Sequence, residues 1–91
     1  MTAPSSLDHR RRRARFRAWH RGMKEMDLIL GGYADAHVAA MDAQALAEFE
    51  ALMEILDRDL VKWFTGESPV PAAHDTALFR AICAHHRIEL T

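Results

Sequence analysis

Disulfide bonds and membrane spans are both missing from this sequence. Cys83 is the only cysteine among 91 residues, so no internal disulfide can form, as is typical of proteins from reducing compartments. No apolar run approaches the roughly 20 residues that a membrane-spanning helix needs, and we expect no stable membrane insertion. The alternation that predicts strands is absent, and so is any internal repeat. These absences favour a small helical protein.

The chain also lacks the parts of an enzyme. A protein of this size forms one domain with a modest core, and a thin shell of helices rarely encloses a pocket for a substrate and a cofactor. No nucleophile stands beside a base at usable spacing. We interpret His85 and His86 as structural or surface residues rather than metal ligands, because neighbouring helical side chains diverge by about 100°. We therefore predict a binding protein that is not an enzyme and has no metal or cofactor of its own.

Apolar residues recur at intervals of three and four along most of the chain, which predicts helices. The expected helices span residues 6 to about 20, about 22 to 40, 43–56, a short stretch from 59 to Gly66, and 76 to about 87. Their predicted N-caps are Ser6, Asp42, Asp59, and either Asp75 or Thr76. Residues 1–5 and 89–91 are expected to be tails, the first of them disordered. The predicted fold is all-α, a compact single-domain five-helix bundle over residues 6–88.

Two adjacent glycines, Gly31 and Gly32, interrupt the second predicted helix. Each costs roughly 1 kcal/mol relative to alanine in a helix interior. The pair therefore indicates either a close crossing by another helix or a kink.

Charge is balanced overall but uneven along the chain. Residues 1–24 carry eight arginine and lysine side chains against one carboxylate, a net charge of +7. Residues 25–91 carry four against twelve, a net charge of −8. This distribution predicts a molecule with a basic front and an acidic body.

The basic segment has two other interpretations. An arginine-rich, acid-poor start fits a mitochondrial transit peptide, but it runs without a break into the motif described next, so we expect it to stay on the protein. Arg10–Arg17 also fits a surface that binds nucleic-acid phosphates. Against this, the acidic body would repel nucleic acid, and no recognised nucleic-acid-binding motif accompanies the arginines. Binding of nucleic acid remains the alternative function, but in the favoured interpretation we expect no nucleic-acid partner.

An Arg-Gly-x-x-Glu string, Arg21 to Glu25, follows the basic segment. The bare backbone at Gly22 allows a partner's surface to come close, with an arginine fork on one side and a carboxylate on the other. The structural alternative is an ion pair between Arg21 and Glu25 within one helix, worth only about 0.3–0.5 kcal/mol. We predict that the string contacts a partner.

Four neighbours complete the predicted partner-binding set. Arg17, Met23 and Asp27 adjoin the string, and Asp27 has the alternative role of capping a loop. His37 is expected on the inner side of the second helix, either as a semi-buried structural histidine or close to the basic surface.

Several strings of the chain together resemble the succinate dehydrogenase assembly factors. In chain order they are Arg-Gly-Met-x-Glu-x-Asp-x-x-Leu at 21–30, Tyr-Ala-Asp-Ala-His at 33–37, Phe-Glu-Ala-Leu-Met at 49–53 and Asp-x-Asp-Leu-x-x-Trp-x-x-Gly at 57–66. Their order and spacing extend the resemblance over roughly residues 7–85. Arg58, where a proline is common, and Ala45, where an acidic residue often completes a capping box, depart from the pattern.

The resemblance implies a function. These factors promote covalent attachment of FAD to the flavoprotein subunit of succinate dehydrogenase, and fumarate reductase is implied as a further client. The FAD belongs to the client, and the bond between a client histidine and the flavin's 8α-methyl group forms within the client. One-to-one docking between the client's FAD-binding and capping domains is implied, with Arg21, Gly22 and Glu25 near the flavin.

The resemblance also implies where the protein acts. We expect a bacterial cytoplasmic protein, or a protein of the mitochondrial matrix if the source is eukaryotic. We expect it to work as a monomer and to dimerise weakly when alone.

Overall fold

A computed structural model describes residues 6–88, and the predicted tails at 1–5 and 89–91 lie outside them. Five α-helices make up most of this range: α1 (Ser6–Trp19), α2 (Lys24–His37), α3 (Ala43–Met53), α4 (Asp57–Phe64) and α5 (Ala77–His85). Two 3₁₀ turns, Val38–Ala40 and Ala72–His74, join them, and no strand occurs in the described range. The predicted all-α five-helix fold is confirmed. None of these helices is both long enough and apolar enough to span a bilayer.

Three predicted helix ends between residues 22 and 59 were wrong. The second helix starts at Lys24, because Gly22 has a φ of +94° and lies outside right-handed helical space. The third helix ends at Met53 rather than three residues later. The fourth begins at Asp57, so Asp59 lies inside its first turn and does not cap it.

The last helix is capped by Thr76, one of the two N-caps predicted for it. The Thr76 hydroxyl accepts a hydrogen bond from a backbone N–H of the first turn, whereas Asp75 pairs with Arg80 at 2.6 Å. The helix ends at His85, earlier than expected, and Arg87 has a positive φ of 57°. Gly66, with a φ of +80°, follows the fourth helix as predicted.

The core lies between α1, α2 and the three shorter helices. Its large fully buried side chains are Met26, Leu30, Val38, Leu46, Phe49, Leu60, Phe64, Phe79 and Ile82. In α4, Phe64 is buried, whereas Trp63 is half-buried and stacks on the His74 ring at 5.2 Å.

The paired glycines mark a helix crossing, not a kink, since α2 runs unbroken through them. The Trp19 ring of α1 lies directly on Gly31, where a Cβ atom would come within 2.5 Å of Cε2. Trp19 is fixed there by a hydrogen bond from its Nε1 to Asp35 at 3.1 Å. Gly31 thus lets the end of α1 pack close against the middle of α2.

The acidic helices neutralise part of the expected basic front, while Arg12 and Arg13 remain exposed on it. Three ion pairs join α1 to α2, to α3 and to the residue after α3: Arg10–Glu50 (2.7 Å), Arg15–Asp35 (3.4 Å) and Arg17–Glu54 (3.2 Å). Arg11 pairs with Asp8 of its own helix at 2.8 Å and donates to the carbonyl oxygen of Met41 at 2.6 Å. The hydrogen bond from Arg10 lowers the pKa of Glu50 below its ordinary value. These pairs leave fewer guanidinium groups for nucleic-acid phosphates.

Candidate functional site

The Arg-Gly-x-x-Glu string forms the turn between α1 and α2. Gly22 is exposed with its φ of +94°, and no atom lies within 4 Å of where its Cβ would be. Met23 is half-buried and extended, with φ −124° and ψ 126°, immediately before α2 begins. The Asp27 carboxylate accepts a hydrogen bond from the backbone N–H of Arg21 at 2.6 Å. Asp27 therefore caps a loop, which is one of the two roles predicted for it.

The Arg21 side chain holds this turn against the opposite side of the protein. Its Nη1 donates to the carbonyl of Met53 at 2.6 Å, and its Nη2 donates to the carbonyl of Ile55 at 3.0 Å. Its Nε donates to Oδ1 of Asp57 at 2.7 Å. Carbonyls at the end of α3 have no helical partner, so a cation is favourable there, as is a carboxylate in the first turn of α4.

Burial makes this cluster more than a surface ion pair. The Arg21 side chain is 10% exposed and that of Asp57 is 15% exposed. The ion pair with Glu25, the structural alternative considered from the sequence, is absent. The fork of Arg21 is occupied by groups of the protein itself. The planar guanidinium instead joins α3, α4 and the α1–α2 turn.

Glu25 and Gly22 remain open beside this anchor. Glu25 is exposed on the first turn of α2 and makes no hydrogen bond or ion pair with any residue of the described range. Arg17, whose side chain is 37% exposed, reaches Glu54, the residue after α3, at 3.2 Å. The surface at this end of the molecule thus offers bare backbone, a free carboxylate and a weakly paired arginine.

His37 lies at the other end of α2, and the prediction that it faces inward was wrong. Ala34 and Val38 occupy the inner positions, and His37 is exposed. Thirteen residues of helix separate it from Lys24, about 20 Å at 1.5 Å per residue. Its ring packs on Tyr33 at 4.4 Å and on His85 at 5.3 Å. The structure thus does not bring His37 together with the turn.

The histidines near His37 predict a pH dependence of stability. Partial desolvation, followed by the proximity of His86 and His37, lowers the pKa of His85 below its ordinary 6.5. The unfolded chain therefore binds this proton more readily, and His85 contributes a loss of stability as pH falls below about 6.5. We expect the thermal midpoint to fall less between pH 7.5 and 5.5 in His85→Gln than in the wild type.

The matched control is His9→Gln, which removes an exposed histidine outside this cluster. Equal pH dependence in wild type and His85→Gln would contradict the assignment. No group of three or more histidine, cysteine, aspartate or glutamate side chains in residues 6–88 could hold a metal ion.

Asp57 is the functional-site residue that the sequence reasoning did not identify. It lies 36 residues from Arg21, so helical spacing gave no reason to join them. A signal was present, because Arg21 begins one string of the family pattern and Asp57 begins another. Opposite charges in two strings of one pattern can indicate a contact between them.

Comparison with known proteins gives one family. Residues 12–86 match the Sdh5 family, described as "Flavinator of succinate dehydrogenase". The FAD assembly factor SdhE of Acetobacter pasteurianus is 37% identical over 86 residues, which cover 94% of this chain and 79% of the relative.

Eukaryotic relatives are longer than this chain. The mitochondrial succinate dehydrogenase assembly factor 2 of Candida glabrata is 39% identical over 69 residues, covering 72% of this chain and 45% of the relative. Assembly factor 2-A of Drosophila yakuba, also mitochondrial, is 31% identical over 81 residues, covering 87% of this chain and 50% of the relative. The chain thus spans about half the length of these mitochondrial relatives. The extent of the family match shows that the chain belongs to the flavinator family of succinate dehydrogenase.

Proposed function

We propose that this protein is an assembly factor that promotes covalent attachment of FAD to the flavoprotein subunit of succinate dehydrogenase. The family and the names of the relatives support this proposal. The protein is not itself the catalyst; it docks on the client and holds it in a conformation in which the reacting groups are aligned. Alignment alone contributes several kcal/mol to a reaction barrier when it replaces random encounters.

The observation that carries the proposal is the turn at residues 21–25. Arg21 is committed to Asp57 and to two carbonyl groups, so it acts as a positioning residue. Because it holds the turn, Gly22 is presented as exposed backbone, which a client surface can approach closely. Glu25, free of internal partners, accepts a hydrogen bond from the client. Met23 and Arg17 border the same contact.

The remaining parts of the proposal concern clients and surroundings. The FAD is bound by the client, and this protein contributes no cofactor of its own. Flavoproteins of fumarate reductase are a second client class. The protein works as a monomer bound one-to-one to its client, dimerises weakly when alone, and acts in a bacterial cytoplasm or, if the source is eukaryotic, in the mitochondrial matrix.

Alanine substitutions at two glycines with similar backbone geometry distinguish an effect on docking from an effect on stability. Gly22→Ala and Gly66→Ala each place a Cβ at a positive φ, +94° and +80°, in open space. Each variant should therefore lose about 1–2 kcal/mol of stability from backbone strain alone. We expect only Gly22→Ala to slow flavinylation, at least tenfold, when the flavin-free flavoprotein subunit is mixed with FAD and a dicarboxylate. Covalent flavin is read as fluorescence on a denaturing gel.

Gly66→Ala serves as the control, since it has the same strain at a position outside the turn. If both variants slowed flavinylation to the same degree, loss of stability would explain the effect. The role proposed for Gly22 would then be wrong.

A further inference from the structure

A depression of about 300 Å³ lies beside the turn, between the end of α1 and the junction of α3 and α4. Phe16 and Leu56 line it from opposite sides. Phe16 is 64% exposed and Leu56 is 55% exposed. With Leu28, they are the large apolar side chains that remain mostly exposed within residues 6–88. Exposed apolar side chains that share one depression are typical of interaction surfaces.

The Phe16 ring is already held in place. It stacks on the His20 ring with centroids 4.0 Å apart and planes inclined by 16°. His20 in turn donates from Nδ1 to the Phe16 carbonyl oxygen at 2.6 Å. A fixed aromatic ring loses little conformational entropy when a partner covers it, which favours an anchor role.

Every charged side chain that lines the depression already has a partner of opposite charge. Arg17 pairs with Glu54 at 3.2 Å, and Arg21 pairs with Asp57 at 2.6 Å. An ionic group of a ligand would have to compete with one of these pairs. Among the other lining side chains, Phe16 and Leu56 are large, mostly exposed and apolar, so their complement is an apolar side chain.

We propose that an apolar side chain of the client flavoprotein subunit occupies this depression, and that Phe16 and Leu56 are major contributors to docking. This inference rests on the function proposed above. Arg21 both lines the depression and holds the Gly22 turn, so one client surface covers the two together. The turn then provides close approach to the client, and the depression provides affinity.

A second, larger depression of about 390 Å³ lies between α3 and α5 and provides a control surface. Its lining includes Leu78, which is half-buried because α3 and α5 do not close over it. None of the residues of the 21–25 turn lines this second depression.

The test is calorimetric titration of the wild type and variants into the flavin-free flavoprotein subunit. Phe16→Ala and Leu56→Ala should each weaken the Kd at least tenfold, and Phe16→Leu should retain most of the affinity. Because both side chains are mostly exposed, thermal unfolding of these variants should match the wild type. Leu78→Ala should keep wild-type affinity even though it loses more stability, since Leu78 packs partly against the core.

The outcomes separate this inference from the function on which it rests. Wild-type binding and flavinylation with unchanged affinity in Phe16→Ala and Leu56→Ala would overturn the inference alone. A loss of affinity in Leu78→Ala of the same size would also overturn it, since the client would then cover the other depression. If the wild type neither bound nor promoted flavinylation, the proposed function would fail, and this inference would fail with it.

Discussion

Replacing Arg21 with alanine is expected to lower the free energy of unfolding by about 3 kcal/mol, measured by urea denaturation. The change leaves the Asp57 carboxylate, which is 15% exposed, without its cation, and it leaves the carbonyls of Met53 and Ile55 without their donor. Breaking a buried pair on one side is costly because the remaining charge stays desolvated. Arg21→Lys should recover only part of the loss, since an ammonium group cannot reproduce the planar fork.

The matched control is Arg13→Ala, the same truncation at an exposed arginine of α1 whose side chain forms no hydrogen bond or ion pair with residues 6–88 and acts on Glu50 only through its charge. It should change stability by less than about 0.5 kcal/mol. A loss below about 1 kcal/mol in Arg21→Ala would contradict the anchoring role.

Asp57→Asn distinguishes positioning from direct contact by Arg21. If Arg21 acts by holding the turn, Asp57→Asn should slow flavinylation and add little to Arg21→Lys in the double variant. Full activity in Asp57→Asn together with loss of activity in Arg21→Lys would show that Arg21 touches the client.

Gly31→Ala should be the other strongly destabilising change, with an expected loss of about 2–3 kcal/mol. Its Cβ would lie 2.8 Å or less from three atoms of the Trp19 ring, so α1 or the ring must move. Trp19 cannot move freely, because its Nε1 is bonded to Asp35. Thermal or urea unfolding measures the loss directly.

Gly32→Ala is the adjacent control. Its Cβ would be 3.1 Å from Cε1 of His86, so the ring must move by only a few tenths of an ångström, against its hydrogen bond to the Ile29 carbonyl at 2.7 Å. Alanine gains about 1 kcal/mol in helix propensity. The two effects oppose each other, so we expect a net change within about 1 kcal/mol. Equal losses in Gly31→Ala and Gly32→Ala would show that the Trp19 contact is not the cause.

The helices could be predicted because each leaves a local pattern. Leu30, Tyr33 and Ala34 recur at helical spacing and are buried. The start of α2 could not be placed, since a positive φ at Gly22 depends on how α1 and α2 pack rather than on periodicity. For the same reason, the sequence could not decide whether the Gly31-Gly32 pair marks a helix crossing or a kink. The residue that packs on Gly31, Trp19, belongs to another helix.

The sequence predicted where a candidate site lies but not the partner of Arg21. The string at residues 21–25 indicated a contact at this turn, and the nearest carboxylate in sequence, Glu25, was the natural candidate to pair with Arg21. The partner is Asp57, on a different helix, which spacing within one helix cannot indicate. The pairs of the basic segment with Glu50 and Glu54 could not be predicted for the same reason, since they are tertiary contacts.

The most direct test of the account is the rate of covalent FAD attachment to the flavin-free flavoprotein subunit of succinate dehydrogenase, with and without this protein. Flavin fluorescence on a denaturing gel reports the bond, and Gly22→Ala and Gly66→Ala accompany the wild type. The account predicts faster attachment with the wild type and with Gly66→Ala, and loss of the acceleration with Gly22→Ala. Equal rates with and without the wild-type protein would contradict it.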